Sequence, residues 1–192
     1  YTIAKLRLGL FEIALSAAIL VSFTLLGGLQ YIHDITLNLM GPGTYQQIAL
    51  LIAISLITGI IDLPFSLYRQ FGIEEKFGFN RMTLSLFFTD MVKGLILSLA
   101  IGLPLLWVVL TLMAHAGEYW WVLTWMVWVA FNVLLIWLFP TFIAPLFNKF
   151  KPLEDGPLKE RIEGLLKRCD FISEGLFIMD GSKRSAHGNA YF

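Results

Sequence analysis

The sequence predicts an all-α polytopic membrane protein of four transmembrane helices, followed by the start of a small cytoplasmic α+β domain. Three observations carry this. Hydrophobic residues make up 57% of the 192 residues and charged ones only 15%, and mean hydropathy is +0.73; a soluble domain of this size is not so apolar. Four apolar runs each reach the roughly 20 residues that a helix needs to cross a bilayer core. After Phe139 the texture changes, and from Lys149 onward charges come every second or third residue.

The four spans are read at about 8–29, 48–67, 84–113 and 120–139, so that 1–148 forms a membrane domain and 149–192 the beginning of a cytoplasmic one. The first is interrupted by Glu12, the second carries Asp62 and Pro64 near its end, and the third holds Asp90, Lys93 and Pro104. The third exceeds the minimum length, which predicts tilt or a kink at its proline. In the fourth, Asn132 is the main polar interruption, and Tyr119, Trp120 and Trp121 at one end read as an interfacial aromatic belt.

Basic residues set the orientation. Lys5 and Arg7 precede the first span, Arg69, Lys76 and Arg81 lie between the second and third, and eight more follow the fourth, while the loops 30–47 and 114–119 hold none. The positive-inside rule then puts both ends and the middle loop in the cytoplasm. The outer stretch Tyr31–Tyr45, with its Gly41-Pro42-Gly43 turn, reads chiefly as a solvated connector. The middle stretch Tyr68–Arg81 mixes charges with aromatics and reads as a packed loop.

Beyond the fourth span, Pro140, Pro145 and Pro152 argue against a long continuous helix. Gly156-Pro157, preceded by Glu154 and Asp155, opens a helix of about three turns. Leu158, Ile162, Leu165 and Leu166 form its apolar stripe. A strand at Leu176–Met179 follows. The closing stretch Asp180–Phe192 ends partway into what reads as a further strand, and a domain rarely stops with such an edge unpaired, so the pattern predicts a longer parent protein. The single Cys169 excludes an intrachain disulfide and fits a reducing compartment. The N-terminus lacks the pattern of a signal peptide.

Candidate chemistry is sparse. An ionisable side chain within a span costs about 2.5–3.5 kcal/mol at the helix centre and should face protein, water or an interface. Asp90 and Lys93, three apart on one face, can pair with each other, either as a self-neutralising pair or as the polar lining of a chamber. Glu12 and Asp62, near the cytoplasmic ends, fit snorkelling. His33 and His115 fall in outer loops and His187 at the cytoplasmic end. The chain contains no His-Glu-x-x-His, no cysteine pair, no phosphate loop and no nucleophile elbow. The residues of this chain therefore present no complete active site and no metal set.

Three separated segments nonetheless resemble one family, the integral-membrane CAAX prenyl proteases, zinc metalloendopeptidases of the gluzincin type. These are Tyr68-Arg69 through Ile73-Glu74-Glu75-Lys76-Phe77-Gly78-Phe79-Asn80; Ile143-Ala144-Pro145-Leu146-Phe147-Asn148-Lys149-Phe150 with Pro152-Leu153; and Asp180 to Phe192. The resemblance covers essentially the whole chain. It implies helices enclosing a membrane chamber, capped by a metalloprotease domain. It also implies that Gly188, Asn189, Ala190 and Tyr191 bind substrate as an added antiparallel strand, a mode that uses alternate backbone N–H and C=O groups. Asn189 would hydrogen-bond the peptide, and His187 would be an auxiliary near the reacting carbonyl, although each could instead stabilise the loop. Zinc is implied for the parent protein, held by a downstream His-Glu-x-x-His and a later Glu, none of which lies in 1–192.

The expectation is thus an internal portion of an enzyme that cleaves the C-terminal tripeptide of prenylated proteins or related membrane peptides, inactive on its own. The expected partners are a prenylated or extended peptide, the lipid bilayer and the rest of its own parent chain, with no nucleic acid. The alternatives are a non-catalytic membrane scaffold or chaperone on the same frame and, less consistent with the missing repeat, a small transporter. Compact loops favour a bacterial inner membrane over the endoplasmic reticulum.

Overall fold

The computed structural model describes residues 1–173 and 175–188. Four of its helical segments, Thr2–Thr24, Thr44–Glu74, Leu84–His115 and Gly117–Phe147, are long and apolar enough to cross a membrane. The chain is an integral multi-pass membrane protein.

Helix α1 spans Thr2–Thr24, earlier than the run 8–29 expected. Hydropathy continues past its end, but the backbone does not: Gly27 adopts φ +82°, a left-handed conformation open to glycine at little cost. The chain restarts as α2, Gly28–Met40. The stretch read as a solvated outer connector is therefore mostly helix. Buried Ile32 and Thr36 face α3, Thr44–Leu67, where buried Gln46 donates to the Thr36 hydroxyl at 2.9 Å. His33 lies on α2, and His115 in the last turn of α4, Leu84–His115, rather than in loops.

The middle loop is packed, as its aromatics suggested. After α3 the helix widens into a π-helical turn, Tyr68–Glu74, whose Ile73 is buried. Gly78, at φ +76°, then reverses the chain, and Thr83 caps α4 by accepting from Leu86 N–H at 3.2 Å. Helix α5, Trp120–Leu138, does not stop at the prolines. It passes through a second π-helical turn, Phe139–Ile143, into the short α6, Ala144–Phe147. Widened turns accommodate residues that lack an N–H, so Pro140 and Pro145 reshape the rod without ending it.

The helices pack as a row, each chiefly against the next in sequence. The accessible surface is 14384 Å², against roughly 9,000 Å² for a compact protein of this mass. Large apolar side chains along α1 and α5, among them Leu10, Ile13, Trp125, Ile136 and Trp137, are exposed. Such a row is stable only with lipid or further protein against both of its faces.

The polar end begins with β1, Phe150–Pro152, a strand the sequence reading did not foresee. It pairs antiparallel with β2, Phe177–Met179, in the register Phe150 to Met179. Helix α7, Pro157–Arg168, lies between them as predicted. Asp180 closes the hairpin: its Oδ1 accepts from Lys149 N–H at 2.7 Å, its own N–H donates to the Lys149 carbonyl at 3.1 Å, and its other oxygen pairs with Lys183.

Two predictions follow from these turns. Replacing Gly78 by Ala puts a Cβ on a left-handed backbone and should cost about 1 kcal/mol, read as a lower unfolding midpoint. The Lys183 ammonium and the Lys149 N–H hold the Asp180 carboxyl below its usual value. Its stabilising effect is therefore complete above the ordinary carboxylate range and is lost as pH falls through the lowered folded value. The protection factor of the Lys149 amide, the intrinsic exchange rate over the observed one at each pH, should fall on acidification, and Asp180→Asn should remove that acid-dependent step.

Candidate functional site

Two linked nodes form at the polar junction, where the segment 180–188 lies against the middle loop and the ends of α4 and α6. The backbone sets their register. Arg81 N–H donates to the Arg184 carbonyl at 3.2 Å, Ala186 N–H donates to the Phe79 carbonyl at 2.9 Å, and Asn80 and Ser185 form an isolated antiparallel bridge. The segment thus adds to the edge of the middle loop as a short strand would. Asn80 holds that edge in place. Its Oδ1 accepts from Gln70 Nε2 at 2.6 Å and from Met82 N–H at 2.8 Å, while its Nδ2 donates to Glu75 at 2.6 Å.

The first node is Arg184. Its Nε and Nη2 donate to the two oxygens of Asp90 at 2.7 and 3.0 Å; Nη1 donates to Asn148 Oδ1 at 2.8 Å; and Nη2 also reaches the Phe147 carbonyl at 2.7 Å. The side chains of Arg184 and Asp90 are only 21% and 15% exposed. The Asp90 hydrogen bonds raise the guanidinium pKa further above its already high value, so the cation is permanent. This corrects the pairing expected between Asp90 and Lys93. Lys93 instead donates to the Leu146 carbonyl at 3.0 Å. Leu146 and Phe147 end a helix whose last carbonyls lack intrahelical partners, and two cations satisfy them.

The second node is Glu74. Tyr1 Oη donates to its Oε1 at 2.5 Å, Lys5 lies 3.6 Å from the same oxygen, and His187 Nε2 lies 3.8 Å from Oε2. The His187 ring stacks on Phe79 with centroids 4.2 Å apart, and Tyr1 meets Phe79 edge-on at 5.0 Å. These contacts hold His187 against the middle loop. Deeper along α1, Glu12 binds Arg69 at 2.5–2.6 Å rather than snorkelling alone.

Gly188 is exposed at the end of the described segment, while Asn189, Ala190 and Tyr191 lie outside the described residues. Among the described residues no three His, Cys, Asp or Glu side chains gather as a metal site, so the residues in hand do not fit zinc. Beside Asn148, an apolar crevice of about 400 Å³ is lined by Phe139, Ile143, Ala144, Phe147 and Met179. Sequence reasoning missed the Arg184 and Glu74 nodes and the hydrogen bonds of Asn80 that hold the edge. Asp90 alone carried a signal, as a charge in a span that needed a partner.

Comparison with known proteins agrees with this geometry. Residues 1–149 match the family described as CAAX prenyl protease N-terminal, five membrane helices. CAAX prenyl protease 1 of Saccharomyces cerevisiae is 44% identical over 148 residues, covering 77% of this chain and 32% of the relative. The human CAAX prenyl protease 1 homolog is 35% identical over 175 residues, covering 88% of this chain and 37% of the relative. The crystal structure of S. mikatae Ste24p superposes with a TM-score of 0.91 at 38% identity, over 100% of this chain and 46% of that one. This chain thus spans about a third of the length of these two curated relatives. All three are eukaryotic, and they lend no support to the bacterial membrane favoured from loop lengths. With the family match across more than three-quarters of its length and the shared fold across all of it, the chain belongs to the CAAX prenyl protease family.

Proposed function

We propose that this chain is the chamber-wall and substrate-strand portion of a zinc metalloendopeptidase that removes the C-terminal tripeptide of prenylated proteins at a membrane. The observation that carries the reading is the match to Ste24p over the whole chain at 38% identity, membrane helices and polar end together. In this reading residues 1–148 are the membrane domain and 149–192 open the peptidase domain, with both ends and the middle loop in the cytoplasm, where the basic residues lie.

Gly188, Asn189, Ala190 and Tyr191 take the substrate as an added strand, and the Asn189 amide donates to or accepts from the peptide. The bridge between Asn80 and Ser185 supports this, because it makes the stretch just upstream part of an antiparallel edge. His187 serves as the auxiliary group near the reacting carbonyl, a role supported by its half-exposed ring. Zinc belongs to the part of the parent protein beyond this chain, and the chain's own contribution is to bind and orient.

The full-length protein in phospholipid vesicles should release the terminal tripeptide from a farnesylated CAAX peptide. It should lose that activity with a zinc chelator and regain it when zinc is returned. An intact, zinc-loaded protein that binds the peptide without cutting it would sink the reading in favour of a non-catalytic scaffold.

A further inference from the structure

Arg184 is held from every side. Its guanidinium ties the membrane helix α4, through Asp90, to the end of α6, through the Phe147 carbonyl and Asn148. Its own carbonyl accepts from Arg81, and two residues on, Ala186 donates to Phe79. Gly188 lies four positions beyond this anchor, a tether of at most roughly 14 Å. Strand addition requires the edge to present its N–H and C=O groups in register with a repeat of about 3.3 Å per residue. The planar fork fixes the root of this tether, and the Ala186 to Phe79 hydrogen bond carries that setting two residues further toward Gly188.

We infer that the Arg184–Asp90 fork is a positioning device that sets where the substrate strand begins, and so governs peptide binding without touching the peptide. The inference rests on the reading above, that residues 188–191 take up substrate. The fork's geometry matters as well as its charge. Lysine keeps the cation but presents no planar pair of donors, so Arg184→Lys is not conservative here. Asp90→Asn keeps the shape and removes the charge. Each should act on KM more than on kcat, because an edge whose register is unset binds extended peptide more weakly while the cleavage machinery lies elsewhere.

The test uses the full-length zinc enzyme in vesicles with a farnesylated CAAX peptide. Arg184→Lys and Asp90→Asn should each raise KM about fivefold or more, as when a fork-shaped ion pair is lost, with kcat within about twofold. Glu12→Gln, which weakens the separate bond to Arg69, controls for general loosening and should leave KM unchanged. Amide exchange across 185–191 gives a second readout that needs no turnover, and both fork variants should accelerate it where Glu12→Gln does not. Wild-type KM and wild-type exchange in the fork variants, or equal effects in Glu12→Gln, overturn the inference. A wild-type protein that fails to cleave overturns the proposed activity instead, and the exchange data still decide whether the fork sets the segment.

Discussion

The bond between Asp90 and Arg184 joins two parts of the chain with opposite physical requirements. Asp90 sits in a helix apolar enough to cross a membrane, where an unpaired carboxylate is costly. Arg184 belongs to a polar segment 94 residues later. A bidentate pair at 2.7 and 3.0 Å satisfies the carboxylate, and the remaining donors satisfy the exposed helix end at Phe147 and Asn148. Arginine suits the position because its charge does not titrate away on partial burial. With the segment fixed at that point, the register with Phe79 and Arg81 and the stack of His187 on Phe79 can follow. Without it, 180–188 would be held to the middle loop by two backbone hydrogen bonds and the contacts of His187 with Phe79 and Glu74.

The rest of the row depends on surroundings more than on its own core. Only a handful of side chains are buried among the described residues, Ile73 and Ala144 at 4% exposure being the most enclosed apolar ones, and both sit near the junction where the polar segment docks. A second buried set, Ile32, Thr36 and Gln46, lies where α2 meets α3. Elsewhere, long helices present apolar surface on more than one side, as segments bounded by lipid or by further protein must. The two π-helical turns, Tyr68–Glu74 and Phe139–Ile143, lie within the last turns of two membrane helices. Widened turns of this kind often occur near functional sites.

Local patterns were legible in the sequence where one physical signal dominated. The number of spanning helices followed from hydropathy, α7 from the spacing of its leucines and isoleucine, and the packed middle loop from its aromatics. The family followed from three short segments. What the sequence hid was long-range or depended on backbone detail. Hydropathy could not mark the break at Gly27, because Leu25, Leu26 and Leu29 continue the apolar run through it. The prolines of the fourth rod read as helix ends because sequence rules assume α geometry, which the π turn relaxes. Lys93 was the obvious partner for Asp90 by spacing, yet the carbonyl of Leu146 claims it. No periodicity connects positions 90 and 184, so that pairing could emerge only from the fold.

The most direct measurement of this account is a double-mutant cycle between Asp90 and Arg184, using Asp90→Asn and Arg184→Gln singly and together in the full-length protein. Apparent unfolding free energies in mixed micelles would give the coupling. A docked, mostly buried fork predicts a coupling of about 1–3 kcal/mol, each single change costing nearly as much as the pair. Effects that add to within about 0.5 kcal/mol would mean that the two residues do not sense each other, and would contradict the docking of the polar segment on the membrane helix.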